Sequence, residues 1–249
     1  MLLQLSTWQE VEAYLRRSTG LLIPIGSTEQ HGPTGLIGTD AICPEKIARG
    51  VAEELDALVA PTLSVGMAQH HLGFPGSITL RPSTLLAVIC DVAHSLGRHG
   101  FDRLYFLNGH GGNIATVTAA FSEIYAESSL GTAAHDRPKL RCRLHNWWVG
   151  PRVKALSQEL FGEAEGSHAT PAEVSLSYFA YPDAVKKAEM SPKIAPKGEI
   201  LDALDYRQRF PDGRIGSDPS LASIEAGAKL YQASVADVVE DYRRFLEAS

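Results

Sequence analysis

Three side chains that could bind a metal ion lie close together near the start of the sequence. Glu29 and His31 belong to the segment Gly26–Pro33, and Asp40 follows His31 by nine residues across a glycine-containing loop. In an extended chain the side chains of residues i and i+2 point the same way, so we expect the side chains of Glu29 and His31 to project from the same side of the chain. Carboxylate and imidazole form a ligand set suited to zinc, manganese or iron. The alternative is a surface loop with unrelated polar residues, and this segment alone does not decide between them.

A second polar segment follows a predicted strand directly. The strand Arg103–Leu107 leads into Asn108–Asn113, which contains His110 among three glycines, and a predicted helix follows at once. Open α/β sheets bind their ligands beyond the carboxyl ends of the strands, where His110 and Glu29 would both lie. An incidental histidine in a tight turn is the alternative. Packing alone does not explain polar residues at two strand ends, so we favour a binding site.

A third segment, Gly166–Glu173, combines a histidine in a turn with a carboxylate in the first turn of a helix that begins at Pro171. His168 could act as a general acid or base, because the ordinary pKa of histidine lies near neutrality. Glu173 could be a metal ligand. The alternatives are a histidine that caps the helix and a glutamate favoured by the helix dipole, which is worth less than about 1 kcal/mol.

The elements that must position these residues alternate between helix and strand. The expected helices cover about 8–17, 44–55, 83–99, 113–127, 152–160 and 221–246, and the expected strands cover 21–25, 58–63, 103–107 and 140–147. Thr7 and Glu10 form a capping-box pattern, and residues 183–220 are expected to be rich in loops. Such alternation predicts a parallel or mostly parallel sheet with helices on both faces. The sequence has no repeat and no evident linker, so we expect residues 1–249 to form one domain.

Composition argues against several classes of partner. The chain has 249 residues, 44% hydrophobic and 21% charged, with a formal net charge of −6 spread along the sequence. Clusters of Lys and Arg, which favour nucleic acids and anionic membranes, are absent. The longest apolar runs, such as Leu21–Ile25, are too short to cross a bilayer, and the first residues do not resemble a secretion signal. We therefore expect a cytoplasmic protein with a small-molecule substrate.

Several other classes of enzyme lack their sequence signatures here. Cys43, Cys90 and Cys142 form no C-x-x-C pair, which argues against a disulfide framework or a thiolate zinc site. The sequence contains neither the Gly-x-Ser-x-Gly of serine hydrolases nor the His-Glu-x-x-His of zincins. A Gly-x-Gly-x-x-Gly motif is also absent after the first predicted strand. A non-catalytic metal-binding scaffold is then the main alternative to an enzyme, and loss of activity with a chelator would separate the two.

Taken together, these segments resemble the metal-binding pattern of the creatininase family. The matching elements are Glu29-x-His31, Asp40, Gly73–Ser77, Asn108–Asn113, His168 with Glu173, and the closing stretch 213–227. The resemblance spans nearly the whole chain. It implies a three-layer α/β/α sandwich, usually assembled as a homo-oligomer of six subunits. It also implies two divalent metal ions that share one carboxylate and one water.

The resemblance assigns ligands to each metal ion. Glu29, Asp40 and His110 would hold one ion, and His31 and Asp40 would hold the other, so that Asp40 bridges the two. Zinc is the expected metal, with manganese or iron as alternatives. A water between two such ions loses its proton near neutral pH and becomes the nucleophile.

This chain departs from creatininase next to His110. Creatininase has an aromatic residue after the matching histidine and then a metal-binding glutamate, where this sequence has Gly111 and Gly112. We infer that Glu173 completes the second metal site and that Gly111 borders the substrate pocket. Creatinine is therefore disfavoured as the substrate, whereas metal-dependent hydrolysis of a C–N amide bond is expected.

The expected substrate is a cyclic amide, a formamide or a peptide-like molecule, and hydrolysis of a lactone or another cyclic ester is the alternative on the same site. His168 would protonate the departing nitrogen. Trp147 and Trp148, which close a predicted strand, could stack on a flat substrate or pack at a subunit interface. His71 is expected at the rim of the pocket and not among the metal ligands.

Overall fold

Helices and strands alternate along the chain in the part that the structure describes. The structure, a computed structural model, describes residues 1–130 and 139–248. The helices are α1 (Trp8–Leu15), α2 (Thr39–Leu55), α3 (Pro82–Arg98), α4 (Asn113–Leu130), α5 (Pro151–Phe161), α6 (Pro171–Ala180), α7 (Ala203–Arg209) and α8 (Ile224–Glu247). The strands are β1 (Gly20–Ile25), β2 (Arg103–Asn108) and β3 (Arg141–Asn146). None of the helices in these described ranges combines the length and the apolar character that a membrane span requires.

The strands form one parallel sheet in the order β1–β2–β3. Gly20 pairs with Arg103 and Ile25 pairs with Asn108, and Asn108 also pairs with Asn146 of β3. All three strands therefore end level with one another, and the residues that follow them lie at one edge of the sheet. The prediction of a parallel sheet is confirmed.

Helices cover both faces of the sheet, and alternate side chains of each strand enter two separate cores. On one face, Leu22 and Tyr105 pack against residues of α2, α5, α6 and α8. On the other face, Ile23 and Phe106 pack against residues of α1, α3 and α4. Because both faces are buried, β1 and β2 are largely continuous apolar runs without alternation. The predicted three-layer α/β/α sandwich is confirmed.

The prediction of a strand at residues 58–63 is wrong. This segment runs beside β1, and the backbone N–H groups of Leu22 and Gly26 donate to its carbonyl oxygens at 3.0 and 2.9 Å. Pro24 lies between these two donors and has no N–H, and Pro61 within the segment also lacks one. The ladder is therefore interrupted, and isolated bridges hold the segment where a fourth strand was expected.

Helix α2 begins at Thr39, although the sequence predicted a start at Pro44. Its additional first turn contains Asp40. Gly26 after β1 and Gly109 after β2 both lie against the backbone carbonyl oxygen of Asp40, and a Cβ at either position would overlap that oxygen. Two glycines thus allow the start of α2 to pack against the strand ends, and this contact brings Asp40 to the edge of the sheet.

Side-chain caps set several helix boundaries. The capping box predicted for Thr7 and Glu10 is confirmed at the start of α1. Ser223 accepts the N–H of the third residue after it, so α8 begins three residues later than predicted, at position 224. Asp202 caps α7, a helix that the prediction of loops at 183–220 missed. Single polar side chains therefore account for both differences.

Candidate metal centre

The polar residues singled out in the sequence come together at the edge where the strands end. Glu29 and His31 follow β1, His110 follows β2, and Asp40 lies in the first turn of α2. Glu173, in the first turn of α6, approaches the same point. The side chains of the first four residues are almost fully buried. We call these five residues the candidate metal centre.

Glu29, Asp40 and His110 form one group of facing ligand atoms. Nδ1 of His110 lies 3.0 Å from Oδ2 of Asp40 and 3.3 Å from Oε1 of Glu29. The other ring nitrogen, Nε2, donates to the backbone carbonyl oxygen of Met67 at 2.9 Å. A carbonyl oxygen only accepts hydrogen bonds, so Nε2 keeps its proton and Nδ1 is the nitrogen that can bind a cation.

His31, Asp40 and Glu173 form a second group. Nε2 of His31 lies 2.9 Å from Oδ1 of Asp40 and 4.0 Å from Oε1 of Glu173. Nδ1 of His31 donates to the backbone carbonyl oxygen of Glu29 at 3.0 Å, which leaves Nε2 as the nitrogen that can bind a cation. Asp40 belongs to both groups, and each of its oxygens faces a different histidine.

Glu173 also caps its own helix. Its Oε1 accepts the backbone N–H of Thr170 at 2.6 Å, and the Thr170 hydroxyl accepts the N–H of Glu173 at 3.2 Å. The sequence allowed two roles for Glu173, a metal ligand and a carboxylate favoured by the dipole at the start of the helix, and the geometry is compatible with both. The residue that caps α6 is Thr170, so His168 does not have the capping role considered for it.

Burial and the attraction between histidines and carboxylates dominate the electrostatics of the centre. Burial raises the pKa of Glu29 and of Glu173 to about 7 each. Burial disfavours protonation of His31 and His110, but the nearby carboxylates outweigh it and raise their pKa values to about 10 and about 9. Burial acts to raise the pKa of Asp40, but the two histidines outweigh it and lower that pKa strongly. Protons therefore balance the buried negative charge in the absence of a cation.

Several buried carboxylate oxygens of the centre have no hydrogen bond. Oε1 and Oε2 of Glu29 and Oδ2 of Asp40 lie near imidazole nitrogens, but no donor among the described residues is aligned with them. Buried polar atoms almost always have a partner, and a missing partner costs about 1–3 kcal/mol or more for a charged group. Carboxylate oxygens without a hydrogen bond, together with imidazole nitrogens, are ligand atoms that suit a divalent cation such as zinc or manganese. The donor set therefore fits a site for two ions.

A cavity of about 490 Å³ opens onto the centre. Its lining includes Asp40, His110 and Glu173, together with the predicted residues Gly111, Trp147, Trp148 and His168. The two tryptophan rings meet edge to face, with centroids 6.2 Å apart. Both tryptophans therefore line the cavity, as the substrate role predicted for them requires.

His168 lies between two other imidazole rings. Its ring centroid is 4.7 Å from that of His31 and 4.6 Å from that of His71. Nε2 donates to the backbone carbonyl oxygen of Gln30 at 2.8 Å, and Nδ1 lies 3.9 Å from Oε1 of Glu29. Burial and the neighbouring histidines hold the pKa of His168 well below its usual value. The ring is therefore neutral at pH 7, with the lone pair of Nδ1 directed toward the centre.

His71 is 2% exposed and is not part of the lining of this cavity, whereas the sequence predicted it at the rim of the pocket. Its Nε2 lies 3.0 Å from Oε1 of Glu29. The ring of His70, the residue before it, lies close by, with the two ring centroids 4.4 Å apart. Both residues belong to the turn at residues 69–71, and their ring centroids lie 6.2 and 6.3 Å from that of His110.

Sequence reasoning missed two polar residues at this site. Gln30 lies between Glu29 and His31, and in an extended chain a middle residue points to the opposite side. Glu165 lines the cavity, and its Oε2 has no hydrogen-bond partner among the described residues. Burial, with a smaller contribution from Glu173, raises the pKa of Glu165 to about 7. Its position three residues before His168 was the available signal.

Comparison with known proteins agrees with this geometry. The family model described as "Creatininase: Creatinine amidohydrolase" matches residues 4–242. The creatinine amidohydrolase of Pseudomonas putida is 28% identical over 252 residues, which cover 95% of this chain and 94% of that protein. The mycofactocin precursor peptide peptidase of Mycobacterium ulcerans (strain Agy99) is 28% identical over 244 residues, which cover 90% of this chain and 85% of the relative.

The fold comparison gives the same result. The solved structure "Creatininase Mn" superposes with a TM-score of 0.85 at 26% sequence identity and covers 99% of each chain. The family model extends over almost the whole sequence, from the residues before α1 to α8. The resemblance stated from the sequence is therefore confirmed: the chain belongs to the creatininase family of metal-dependent amidohydrolases.

Proposed function

We propose that this protein hydrolyses a C–N amide bond in a small molecule at a site for two metal ions. The position of Asp40 carries this proposal. Its Oδ1 faces Nε2 of His31 at 2.9 Å, and its Oδ2 faces Nδ1 of His110 at 3.0 Å. One carboxylate between two histidines, each with its other nitrogen held by a carbonyl oxygen, is the arrangement expected of a ligand shared by two ions.

Three groups of facing atoms occur among the described residues, and the two that share Asp40 assign the proposed ligands; the third contains Glu29, His31 and His168. Glu29, Asp40 and His110 would hold one ion, and His31, Asp40 and Glu173 would hold the other. Three carboxylates balance most of the charge of two dications in a poorly solvated site. Zinc is the metal we propose, because it accepts this mixture of nitrogen and oxygen donors, with manganese or iron as alternatives.

Divalent ions bound here would polarise a substrate carbonyl and lower the pKa of a water. The chain supplies the proton transfer. His168 is neutral, keeps one proton on Nε2 through its bond to the carbonyl oxygen of Gln30, and has a lone pair on Nδ1. Nδ1 would therefore first accept a proton from the attacking water and then deliver it to the departing nitrogen. The role expected from the sequence, protonation of that nitrogen, becomes the second of two steps.

The cavity indicates the class of substrate. It is lined by Trp147 and Trp148 and by polar side chains that include Lys154 and Glu165. Gly111 contributes no side chain to narrow it. A flat or cyclic amide with polar substituents suits such a lining. The names of the two relatives refer to creatinine and to a precursor peptide, so we propose a cyclic amide, a formamide or a peptide-like amide.

The experiment is a substrate screen on protein of measured metal content. The protein is loaded with zinc or manganese and assayed against cyclic amides, formamides and short peptides, with each lactam paired with the lactone of the same ring. We expect amide hydrolysis that a chelator abolishes and that metal restores. Turnover confined to lactones would replace the amide proposal by the ester alternative. Metal binding without any turnover would favour a non-catalytic scaffold.

His168→Ala tests the proton-transfer role separately from metal binding. We expect this variant to retain its metal and to lose about a hundredfold or more in kcat, the usual contribution of a positioned acid or base. Loss of metal in the variant would instead identify His168 as a ligand. We also propose that residues 1–249 form one domain and that it assembles as a homo-oligomer of six subunits, which light scattering on the purified protein would test.

A further inference from the structure

The side chain of Gln30 is buried beside the candidate metal centre and is 7% exposed. Its Nε2 lies 3.0 Å from Nδ1 of His71, from Nε2 of His168 and from the backbone carbonyl oxygen of Gly213. The proposed function assigns no role to these side-chain contacts. They connect His71 and His168 to the loop that precedes α8.

The orientation of the Gln30 amide is fixed by two partners that have only one hydrogen-bonding role each. The backbone N–H of Gly32 can only donate, and it donates to Oε1 of Gln30 at 2.8 Å. The carbonyl oxygen of Gly213 can only accept, and it lies 3.0 Å from Nε2. Both contacts require the NH₂ group to face the histidines, so the reversed amide is excluded.

The two hydrogens of this amide cannot serve every neighbour. Nε2 of His168 donates to the backbone carbonyl oxygen of Gln30 at 2.8 Å and therefore does not accept. The hydroxyl of Tyr206 donates to the carbonyl oxygen of Gly213 at 2.8 Å. One amide hydrogen of Gln30 is thus donated to the carbonyl oxygen of Gly213 and the adjacent hydroxyl oxygen of Tyr206. The other is donated to Nδ1 of His71.

His71 consequently keeps its ring proton on the nitrogen that faces the metal centre, the side on which the candidate ligands must lose theirs to bind a cation. In His31 and His110 the outer nitrogen donates to a carbonyl oxygen, so the inner nitrogen is the one that a cation can bind after that nitrogen is deprotonated. In His71 the outer nitrogen, Nδ1, accepts from Gln30, which places the proton on the inner nitrogen. That nitrogen, Nε2, lies 3.0 Å from Oε1 of Glu29.

We propose that Gln30 is a positioning residue that holds His71 in the Nε2–H tautomer. An N–H at 3.0 Å from Oε1 of Glu29 attracts this carboxylate electrostatically, without an aligned hydrogen bond, and keeps it oriented toward His110. The same proton prevents His71 from becoming a metal ligand, although its ring is as close to Glu29 as those of the candidate ligands. The partner of the outer nitrogen thus decides which buried histidines can bind a metal ion. This inference rests on the proposed metal site at Glu29.

The tautomer can be measured without metal or substrate. Histidine labelled with ¹⁵N in the ring gives two-bond and three-bond ¹H–¹⁵N correlations that distinguish Nε2–H from Nδ1–H. In the metal-free protein we expect His71 to be protonated on Nε2 alone. Gln30→Glu replaces the amide donor by an acceptor and should move the proton to Nδ1, whereas Gln30→Met should leave a mixture of both tautomers. Gln232→Met on the exposed side of α8 is the matched control.

Metal affinity provides the second readout. Loss of a side chain that orients a metal ligand commonly weakens metal binding about 10- to 100-fold, and we expect this for Gln30→Met. His71→Phe should have a similar effect, because its ring lacks both nitrogens. If Gln30 acts on Glu29 only through His71, the variant that carries both Gln30→Met and His71→Phe should bind metal no more weakly than His71→Phe alone.

The outcomes separate this inference from the proposed function. Failure of the unmodified protein to bind metal would disprove the proposed function. The tautomer measurement would still show whether Gln30 holds His71 in the Nε2–H tautomer. Protonation of His71 on Nδ1 in the unmodified protein would overturn the proposed role of Gln30. An unchanged His71 tautomer in both Gln30→Glu and Gln30→Met would also overturn it. Additive losses of metal affinity in the double variant would also overturn it, because they would show that the two residues act independently.

Discussion

Oε1 of Glu173 lies 4.0 Å from Nε2 of His31. The same oxygen accepts the backbone N–H of Thr170 at 2.6 Å and so closes the capping box at the start of α6. The helix therefore fixes the carboxylate beside the second histidine, and a single atom could serve both the cap and a metal ion. This double use allows the two roles to be separated by substitution.

Glu173→Gln should weaken the second metal ion selectively and leave the helix intact. The amide oxygen can still accept the N–H of Thr170, whereas the negative charge beside His31 is lost. Glu173→Ala should also lose the cap and destabilise the protein by about 1 kcal/mol. Metal titration by calorimetry and denaturant unfolding measure the two effects. Glu225→Gln, in the first turn of α8, is the matched control. Two tightly bound ions in Glu173→Gln would assign Glu173 to substrate binding.

Asp40→Ala should abolish binding of both metal ions. The carboxylate faces His31 with one oxygen and His110 with the other, so its removal takes a ligand from each group. Elemental analysis after dialysis should give less than one ion per chain, and activity should be lost with the metal. Asp91→Ala on the exposed side of α3 should keep its metal. Retention of one tightly bound ion in Asp40→Ala would show that Asp40 does not bridge.

Metal binding should strengthen as the pH rises. Burial disfavours protonation of His31 and His110, but their carboxylate neighbours raise the pKa values to about 10 and about 9, so both rings hold an extra proton at pH 7. A cation must displace these protons, and this becomes easier as the pH approaches the raised pKa. Affinity should therefore increase between pH 6 and 9, by up to about tenfold per pH unit for each proton displaced.

Calorimetry in buffers of different ionisation enthalpy counts the protons released on binding. We expect more than one proton per chain at pH 7 and fewer at pH 9. Release of no proton at pH 7 would show that the histidines of the metal-free site are already neutral.

The grouping of the candidate ligands was predictable from the sequence because simple geometry governs it. Glu29 and His31 are two residues apart after one strand, and His110 follows another strand of the same parallel sheet. Strand ends meet at one edge, so these side chains had to be neighbours. The place of Asp40 was less accessible. It depends on the close approach of α2 to Gly26 and Gly109, a tertiary contact that no local pattern encodes.

Residues that act through their neighbours were missed for a related reason. The position of Gln30 between two candidate ligands indicates nothing about its partners, which lie 41 and 138 residues away in His71 and His168. The apolar run at residues 58–63 was also misleading as a strand signal. Pro24 in the adjacent strand β1 has no N–H to donate to a carbonyl oxygen of this segment, so a regular ladder does not form. Local sequence therefore predicts elements and strand-end sites, whereas contacts between distant segments need the structure.

The two tryptophans of the cavity should behave differently on substitution. Trp147 is 2% exposed and packs into the core beside α8, whereas Trp148 is only half-buried. Trp147→Ala should lower the free energy of unfolding by about 3–5 kcal/mol. Trp148→Ala should change stability much less and raise KM about tenfold, because an aromatic wall of the cavity is lost. Denaturant unfolding and steady-state kinetics distinguish these effects.

Trp8→Ala, at an exposed position on α1, is the control for both tryptophan variants. An unchanged KM together with a changed oligomer mass in Trp148→Ala would favour the interface role that the sequence analysis considered.

Glu165→Gln should reduce binding of substrates that carry an amino or amide N–H group away from the scissile bond. Glu165 lines the cavity, so a substrate donor could bind its carboxylate. A hydrogen bond to a charged group contributes about 1.5–3 kcal/mol, which corresponds to a rise in KM of about tenfold or more when it is lost. Metal content and kcat should change little, because Glu165 belongs to none of the three groups of facing ligand atoms.

The pH dependence of KM tests this assignment directly. Burial raises the pKa of Glu165 to about 7, so the carboxylate gains its charge as the pH rises through neutrality. KM for a substrate with a cationic amino group should therefore fall between pH 6 and 8 in the unmodified protein, and Glu165→Gln should lose this dependence. Glu159→Gln, at an exposed position of α5, should retain it. The same pH profile in Glu165→Gln and in the unmodified protein would show that another group binds the substrate.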